Sequence, residues 1–578
     1  MAEKWVETTV REFTAWAPGQ AGEADLHGAR ILLELADLNE TGELTPELLR
    51  EVLLEDFPDE VMASADDAPA ILAIAGELVR FFEESEQLDS ARAAELRETL
   101  GGIAEEFTAA LAAEGENAED AAEFLGRMMS AEGVDLEDEE AVAQWMREFD
   151  ELSDEEKLER TMQHFAAENV VPPVRLLPAD ELAAAARASG LFTDVLGLAD
   201  WVGARDLEED ELAEADAAAA VAALGIPAPR AGGAFQPELE RLWGAAVETG
   251  LIDVQDGRTA PGGRPESDED VLALFVGLLD AVVTQAHEEG DALSPGEVVQ
   301  GELPGVLLHM YEHGGETGIG ELVVGLIEHI QEGYDIVEAD VMAQAVPVAL
   351  RLELDDLARW GVLTVEEDTA ALTPLGVFAV RELLQADGYT APLIGDLAET
   401  TAEELVTGLA WHREDTAEEE ISLWLARREP EEAATGLLNV MLEGRAAARN
   451  LAAVVLQSVP QEAEPVIRAA LDAPQTRPYA VVWLSGHGDD KIEPSPADMQ
   501  WMFVDTVAGM IEAVGPHEAV HLALDETEDA ADLHGLIEDI WRIEHPDTAD
   551  VLEAIGDHHH DKPLAKLARK TAFKVRSR

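Results

Sequence analysis

Apolar side chains return at intervals of three and four through "TPELLREVLLEDF" (45–57), "DAPAILAIAGELVRFFEE" (67–84) and "LDSARAAELRETLGGIAEEFTAALAAEG" (88–115), with acidic residues between them. That spacing lays one apolar stripe along an α-helix. Thr45-Pro46 and Ser153-Asp154-Glu155-Glu156 read as helix starts, because a hydroxyl caps free N–H groups and proline suits the first turn. No alternating pattern interrupts residues 1–170, so a helical N-terminal domain is predicted there.

The period changes in residues 171–292. "ELERLWGAAVETGLIDVQDGRTAPGG" (238–263) passes from a helix through Gly250 into an alternating strand, an Asp-Gly hairpin signal and a return strand. Residues 293–392 repeat the design in "LDDLARWGVLTVEEDTAALTPLGVFAVRELL" (354–384). Gly250-Leu251-Ile252-Asp253-Val254 corresponds to Gly361-Val362-Leu363-Thr364-Val365, and Arg258-Thr259-Ala260-Pro261-Gly262 falls roughly where Leu372-Thr373-Pro374-Leu375-Gly376 does. Helix, two-stranded wing and closing helix predict two winged-helix-like modules, with "APRAGG" (228–233) and "APGGRPESDED" (260–270) as loops around the first. Residues 393–578 shift to short paired helices. "PEEAATGLLNVML" (430–442) and "PQEAEPVIRAAL" (460–471) start 30 residues apart, and "PDTADVLEAIGDH" (546–558) opens alike. Helix pairs at this period predict a HEAT-like α-solenoid. The expected fold class is therefore mainly α.

"LADWVGARDL" (198–207), "ALTPLGVFAVRELLQADGY" (371–389) and "HPDTADVLEAIGDHHHDKPLAKLARK" (545–570) resemble segments of large actinobacterial proteins of unknown function. Those proteins combine winged-helix-like modules with C-terminal HEAT-like helical repeats. The resemblance implies an architecture and no activity.

Composition adds one extreme. The chain carries 123 acidic and 37 basic residues, a net charge of −86 over 578 residues. The acidity is spread along the chain, which favours a surface adapted to a salt-rich cytoplasm over a dedicated basic partner or nucleic-acid mimicry. Cysteine is absent. Disulfides, thiol nucleophiles and cysteine-ligated metals are thereby excluded. Neither a signal peptide nor a membrane span is legible, so a cytoplasmic protein is expected.

"GPHEAVHLALDE" (515–526) holds the H-E-x-x-H spacing of zinc hydrolases in His517, Glu518 and His521. Pro516 places it at the first turn of a short helix, and a helix precedes it where a zincin has a strand. Glu538, His534 and Glu544 are the third-ligand candidates. "DLNETGEL" (37–44) has Asp37, Asn39, Thr41 and Gly42 at EF-hand positions, but Leu48 stands where a bidentate glutamate is needed. "DHHHD" (557–561), His309 with His313, "GGETGIGE" (314–321) and "WLSGHG" (483–488) lack the geometry of a metal, phosphate or nucleophile site. No catalytic, cofactor or metal residues are assigned, and the winged modules are too acidic for duplex DNA. The expected function is a non-enzymatic scaffold or adaptor that binds another protein, of unknown identity, through its helical-repeat surface. The alternatives are a zinc-dependent hydrolase centred on 515–526, and an acidic regulator that captures basic proteins or mimics nucleic acid.

Overall fold

Helices begin in the computed structural model where capping residues stand in the sequence. Thr45 accepts a hydrogen bond from the Leu48 N–H at 3.2 Å, with Pro46 in the first turn. Ser153 and Glu156 bond each other's backbone N–H groups, at 2.9 and 3.3 Å. The structure describes the chain except at residues 1, 17–28, 34, 37–43, 62, 64, 86, 135, 137–138, 151, 208–211, 226–236, 256, 285–293, 334–338, 488–491, 525–529 and 578. The 228–233 loop and residues 37–43 of the EF-hand-like stretch lie outside the described residues. The protein is mainly α, with two small antiparallel sheets among the described residues. No single described helix is long and apolar enough to cross a membrane.

Two compact units divide the chain, Met1–His164 and Phe165–Arg578. In the first, Leu53, Leu96, Ile103, Phe107 and Leu111 are buried in one core. Leu48 belongs to that core, so the twelfth EF-hand position packs inward. The helix expected over 45–57 widens into a π turn at Val52–Asp56 before Phe57–Glu60. Pro58 explains this, since its ring would clash with the carbonyl four residues back in an ordinary α-helix.

In the second unit, Gly190–Val202, Glu214–Leu224 and Pro237–Glu248 lead into strands β1 (Ile252–Gln255) and β2 (Arg258–Pro261). Leu303–His313, strand β3 (Glu316–Gly318), Ile319–Gly333 and Ala339–Arg359 likewise lead into β4 (Leu363–Val365) and β5 (Thr369–Leu372). The second sheet has the order β3-β5-β4. In the first, a bridge between Asp206 and Arg258 stands where β3 stands in the second. Ile252 pairs with Pro261 and Leu363 with Leu372, so the two hairpins are 111 residues apart at both ends. This register corrects the sequence alignment: Gly262 is equivalent to Thr373, and Gly376 lies one turn further on. The two modules share one core that runs from Val171 to Ala391. Buried Arg241 helps to join them, donating to the Val282 carbonyl and, at 2.8 Å, to Glu353.

Beyond residue 393 the helices pair, as Pro430–Glu443 with Ala446–Gln457 and Thr548–His558 with Lys562–Arg576. The stretch 460–471 is no continuous helix. It breaks into a 3-10 turn, the short helix Glu464–Ala469 and a second 3-10 turn. Pro465 suits only the start of the short helix. Among the described residues the helices form no regular solenoid. Fully buried Glu420 anchors the loop that leads in, accepting from the N–H groups of Gly395 and Leu397.

Candidate functional site

Gly515 breaks the helix Pro496–Leu524 with φ 80° and ψ 165°, and Pro516 starts its second piece. On that piece Ala519, Val520 and Leu524 turn into the core. His517, Glu518 and His521 consequently lie on the solvent face. His517 meets the ring of His558 edge-on at 5.6 Å. Glu538 and Glu544 are exposed and His534 is half-buried. Among the described residues, none of these groups forms a three-ligand cluster with the motif. His558 ends the helix Thr548–His558 and His559 and His560 follow in the turn to the last helix, where the N–H of Asp561 donates to His559 Nδ1 at 3.0 Å. Trp483 and Gly486 of the "WLSGHG" stretch are helical, with His487 stacked on Trp483. "GGETGIGE" forms β3 and the start of the next helix. His309 lines an open groove of about 270 Å³ with Glu302, Glu321 and His329. His329 Nε2 lies 3.2 Å from Glu302.

Among the described residues, the one cluster of three possible metal ligands lies elsewhere, under the C-terminal helices. Asp505, His545 and Asp547 place three possible ligand atoms within 4.8 Å of one another. Their partners decide what they do. Arg449 sends two N–H groups to Asp505 Oδ1, at 2.9 and 2.6 Å, and lies 3.6 Å from Asp547. Tyr479 donates to Asp505 Oδ2 at 2.5 Å, and Asn450 donates to the Asp505 carbonyl at 2.9 Å. His545 Nδ1 accepts from the N–H of Asp547 at 3.1 Å, so its ring proton sits on Nε2, facing Asp505 Oδ1 at 3.1 Å. Trp501 closes one side, its ring 4.3 Å from that of His545.

Burial opposes ionisation of Asp505, but the hydrogen bonds from His545, Arg449 and Tyr479 outweigh it and hold the carboxyl below its ordinary value. Burial and the neighbouring Asp505 charge push the Tyr479 phenol well up. A divalent cation here would have to displace both a buried guanidinium and the Nε2 proton. The donor set therefore fits an internal ion pair and not a metal. It ties the helix Ala446–Gln457 to Pro496–Leu524 and to the loop before Thr548.

One surface stands apart from the acidic remainder. The terminal helix Lys562–Arg576 carries Lys562, Lys566, Arg569, Lys570, Lys574 and Arg576 and no acidic residue. The sequence shows the lysines but not which way they face. Leu564, Ala565, Ala568 and Ala572 are buried, which turns Lys562, Lys566 and Lys570 outward. Arg449 and Asp505 are legible only as charges inside apolar helices, in "AAARNLAAVVLQ" and "MFVDTVAGM". Comparison with protein families, with curated proteins and with solved structures returns no match.

Proposed function

We propose that the chain is a non-enzymatic scaffold or adaptor that binds another protein through the helices of residues 393–578. One observation carries this reading. Among the described residues, the cluster whose side chains could hold a metal is tied up by Arg449, while the lysine-bearing face of the terminal helix is exposed. A buried, fully bonded network rigidifies the helices it joins. A rigid support with an unpaired charged face is suited to recognition.

In this reading the paired C-terminal helices form an irregular HEAT-like stack, and the helix–hairpin modules are winged helices serving as spacers. Their connectivity supports the second point, with a short strand before two helices and a hairpin after them. The likeness to large actinobacterial proteins with such modules belongs to the same proposal. A cytoplasmic, salt-adapted protein agrees with the spread of acidic residues.

The test is cross-linking mass spectrometry on the full chain in extract of its source cells. One reproducible partner cross-linked within 393–578 is expected. Zinc binding at one ion per chain with hydrolysis, both lost in His517→Ala/His521→Ala, would replace this reading with the hydrolase.

A further inference from the structure

We infer that the outward face of the terminal helix Lys562–Arg576 binds an acidic segment of a partner protein that carries apolar side chains, with Phe573 as the apolar contact at the end of the lysine row. This rests on the adaptor reading and names the chemistry of its partner.

The helix is built against its own stability. Lys562, Lys566, Lys570 and Lys574 recur every four residues, and like charges at that spacing repel by about 0.2–0.5 kcal/mol per pair. Lys562 stands in the first turn, where the helix dipole disfavours a cation, and Asp561 at the N-cap is the acidic residue beside it. Arg569 and Arg576 lean onto the preceding helix, Arg569 to the Gly556 carbonyl and to Asp557, and Arg576 to Glu553 at 2.6 Å. Lys574 rests over the Trp541 ring at 5.6 Å. Among the described residues Lys562, Lys566 and Lys570 make no ion pair, in a chain with more than three acidic residues for every basic one. Fold stability does not explain three unpaired lysines on such a surface.

Phe573 supplies the second observation. It is 74% exposed, the most exposed large hydrophobic side chain among the described residues. At 100° per residue it falls between Lys562 and Lys566 in azimuth, one turn beyond Lys570. An aromatic ring at the C-terminal end of a row of free cations offers an apolar contact beside a charged one.

Size and charge choose the occupant. The helix is about 22 Å long. Outside it 123 acidic residues stand against 31 basic ones, the 37 of the chain less the six of this helix, and screening extends only about 8 Å at physiological ionic strength. A bilayer or a duplex spreads past the patch onto like charge, whereas a short acidic segment ends within it. The helix also buries its apolar stripe in the fold, which leaves Phe573 as its one exposed large apolar side chain for a lipid surface to take up.

The probe is a fluorescein-labelled peptide of repeated Asp-Glu-Leu triplets, titrated by anisotropy against the full chain at low and physiological salt. We expect saturable binding, weakened roughly tenfold or more by Lys562→Gln/Lys566→Gln/Lys570→Gln. Phe573→Ala should weaken it with little change in the salt slope. All four side chains are exposed, and unchanged melting of the variants verifies that the fold is kept. Equal binding by wild type and the triple variant overturns the inference, as does preference for anionic vesicles, for duplex DNA or for a second copy of the chain in sedimentation. If cross-links to a partner fall within 393–558 and the peptide fails to bind, the adaptor reading stands and this inference alone is lost.

Discussion

Asp505 shows how a single side chain holds several helices in register. Asp505→Asn strands the Arg449 guanidinium in a buried site, and breaking such a pair costs about 3–5 kcal/mol. Urea unfolding of the full chain should show that loss. Replacing Arg449 and Asp505 together by Met and Leu should cost less, because no charge is left unpaired. The same carboxyl sets an acid limb. Its pKa is lower folded than unfolded, so the unfolded chain binds more protons between the two values. Stability from this group is present at neutral pH and is lost as pH falls below about 4. Denaturant midpoints measured from pH 6 to pH 3 should fall less steeply in Asp505→Asn than in wild type.

Packing between elements makes equally local demands. A Cβ at Gly376 would lie 1.9 Å from the Val362 carbonyl oxygen, where the closing helix crosses the base of β4. Alanine ordinarily favours a helix over glycine by up to about 1 kcal/mol. Here the backbone clash wins, and Gly376→Ala should destabilise by about 1–3 kcal/mol. Gly325 has open space within 4 Å, so Gly325→Ala should stabilise or leave melting unchanged. Calorimetry of both variants separates the two effects. The helices that a winged helix would present to DNA have their described arginines engaged: Arg241 with Glu353, Arg351 with Asp355, and Arg359 with Asp194. Glu366, Glu367 and Asp368 are exposed on the hairpin between β4 and β5. Duplex DNA should therefore give no mobility shift at physiological salt. A shift abolished by substitutions in 362–375 would show the opposite.

Across the whole molecule, 31867 Å² of surface shared by a net charge of −86 spaces the charges about 19 Å apart. With a screening length of about 8 Å, the summed repulsion between neighbours is on the order of 5 kcal/mol. In 1 M salt the length falls to about 3 Å and the repulsion nearly vanishes. Part of it persists in the unfolded chain, yet the remainder matters beside a stability of about 5–15 kcal/mol. The melting temperature should climb by several degrees between low and molar chloride. A flat response would favour local compensation by a bound basic partner over salt adaptation.

The sequence by itself determined most of the helices, the caps at Thr45 and Ser153, and both hairpins. Periodicity and capping act over a few residues, and Thr45, Ser153, Gly250 and Gly361 carry their own conformational instructions. It determined the solvent-facing start of the 515–526 motif for the same reason, through Pro516. What lay beyond a few residues was decided by the tertiary structure. The alignment of the two wings slipped by three residues, because strand register is set by cross-strand pairing and not by a shared Pro-Gly pattern. The even spacing of prolines suggested a solenoid, but a helix must find a partner of matching length, and 460–471 breaks up instead. Arg449, Asp505 and His545 lie far apart along the chain, and only packing turns three buried polar side chains into one tie. The direction of the lysines of the last helix was likewise settled by which side Leu564, Ala565, Ala568 and Ala572 bury.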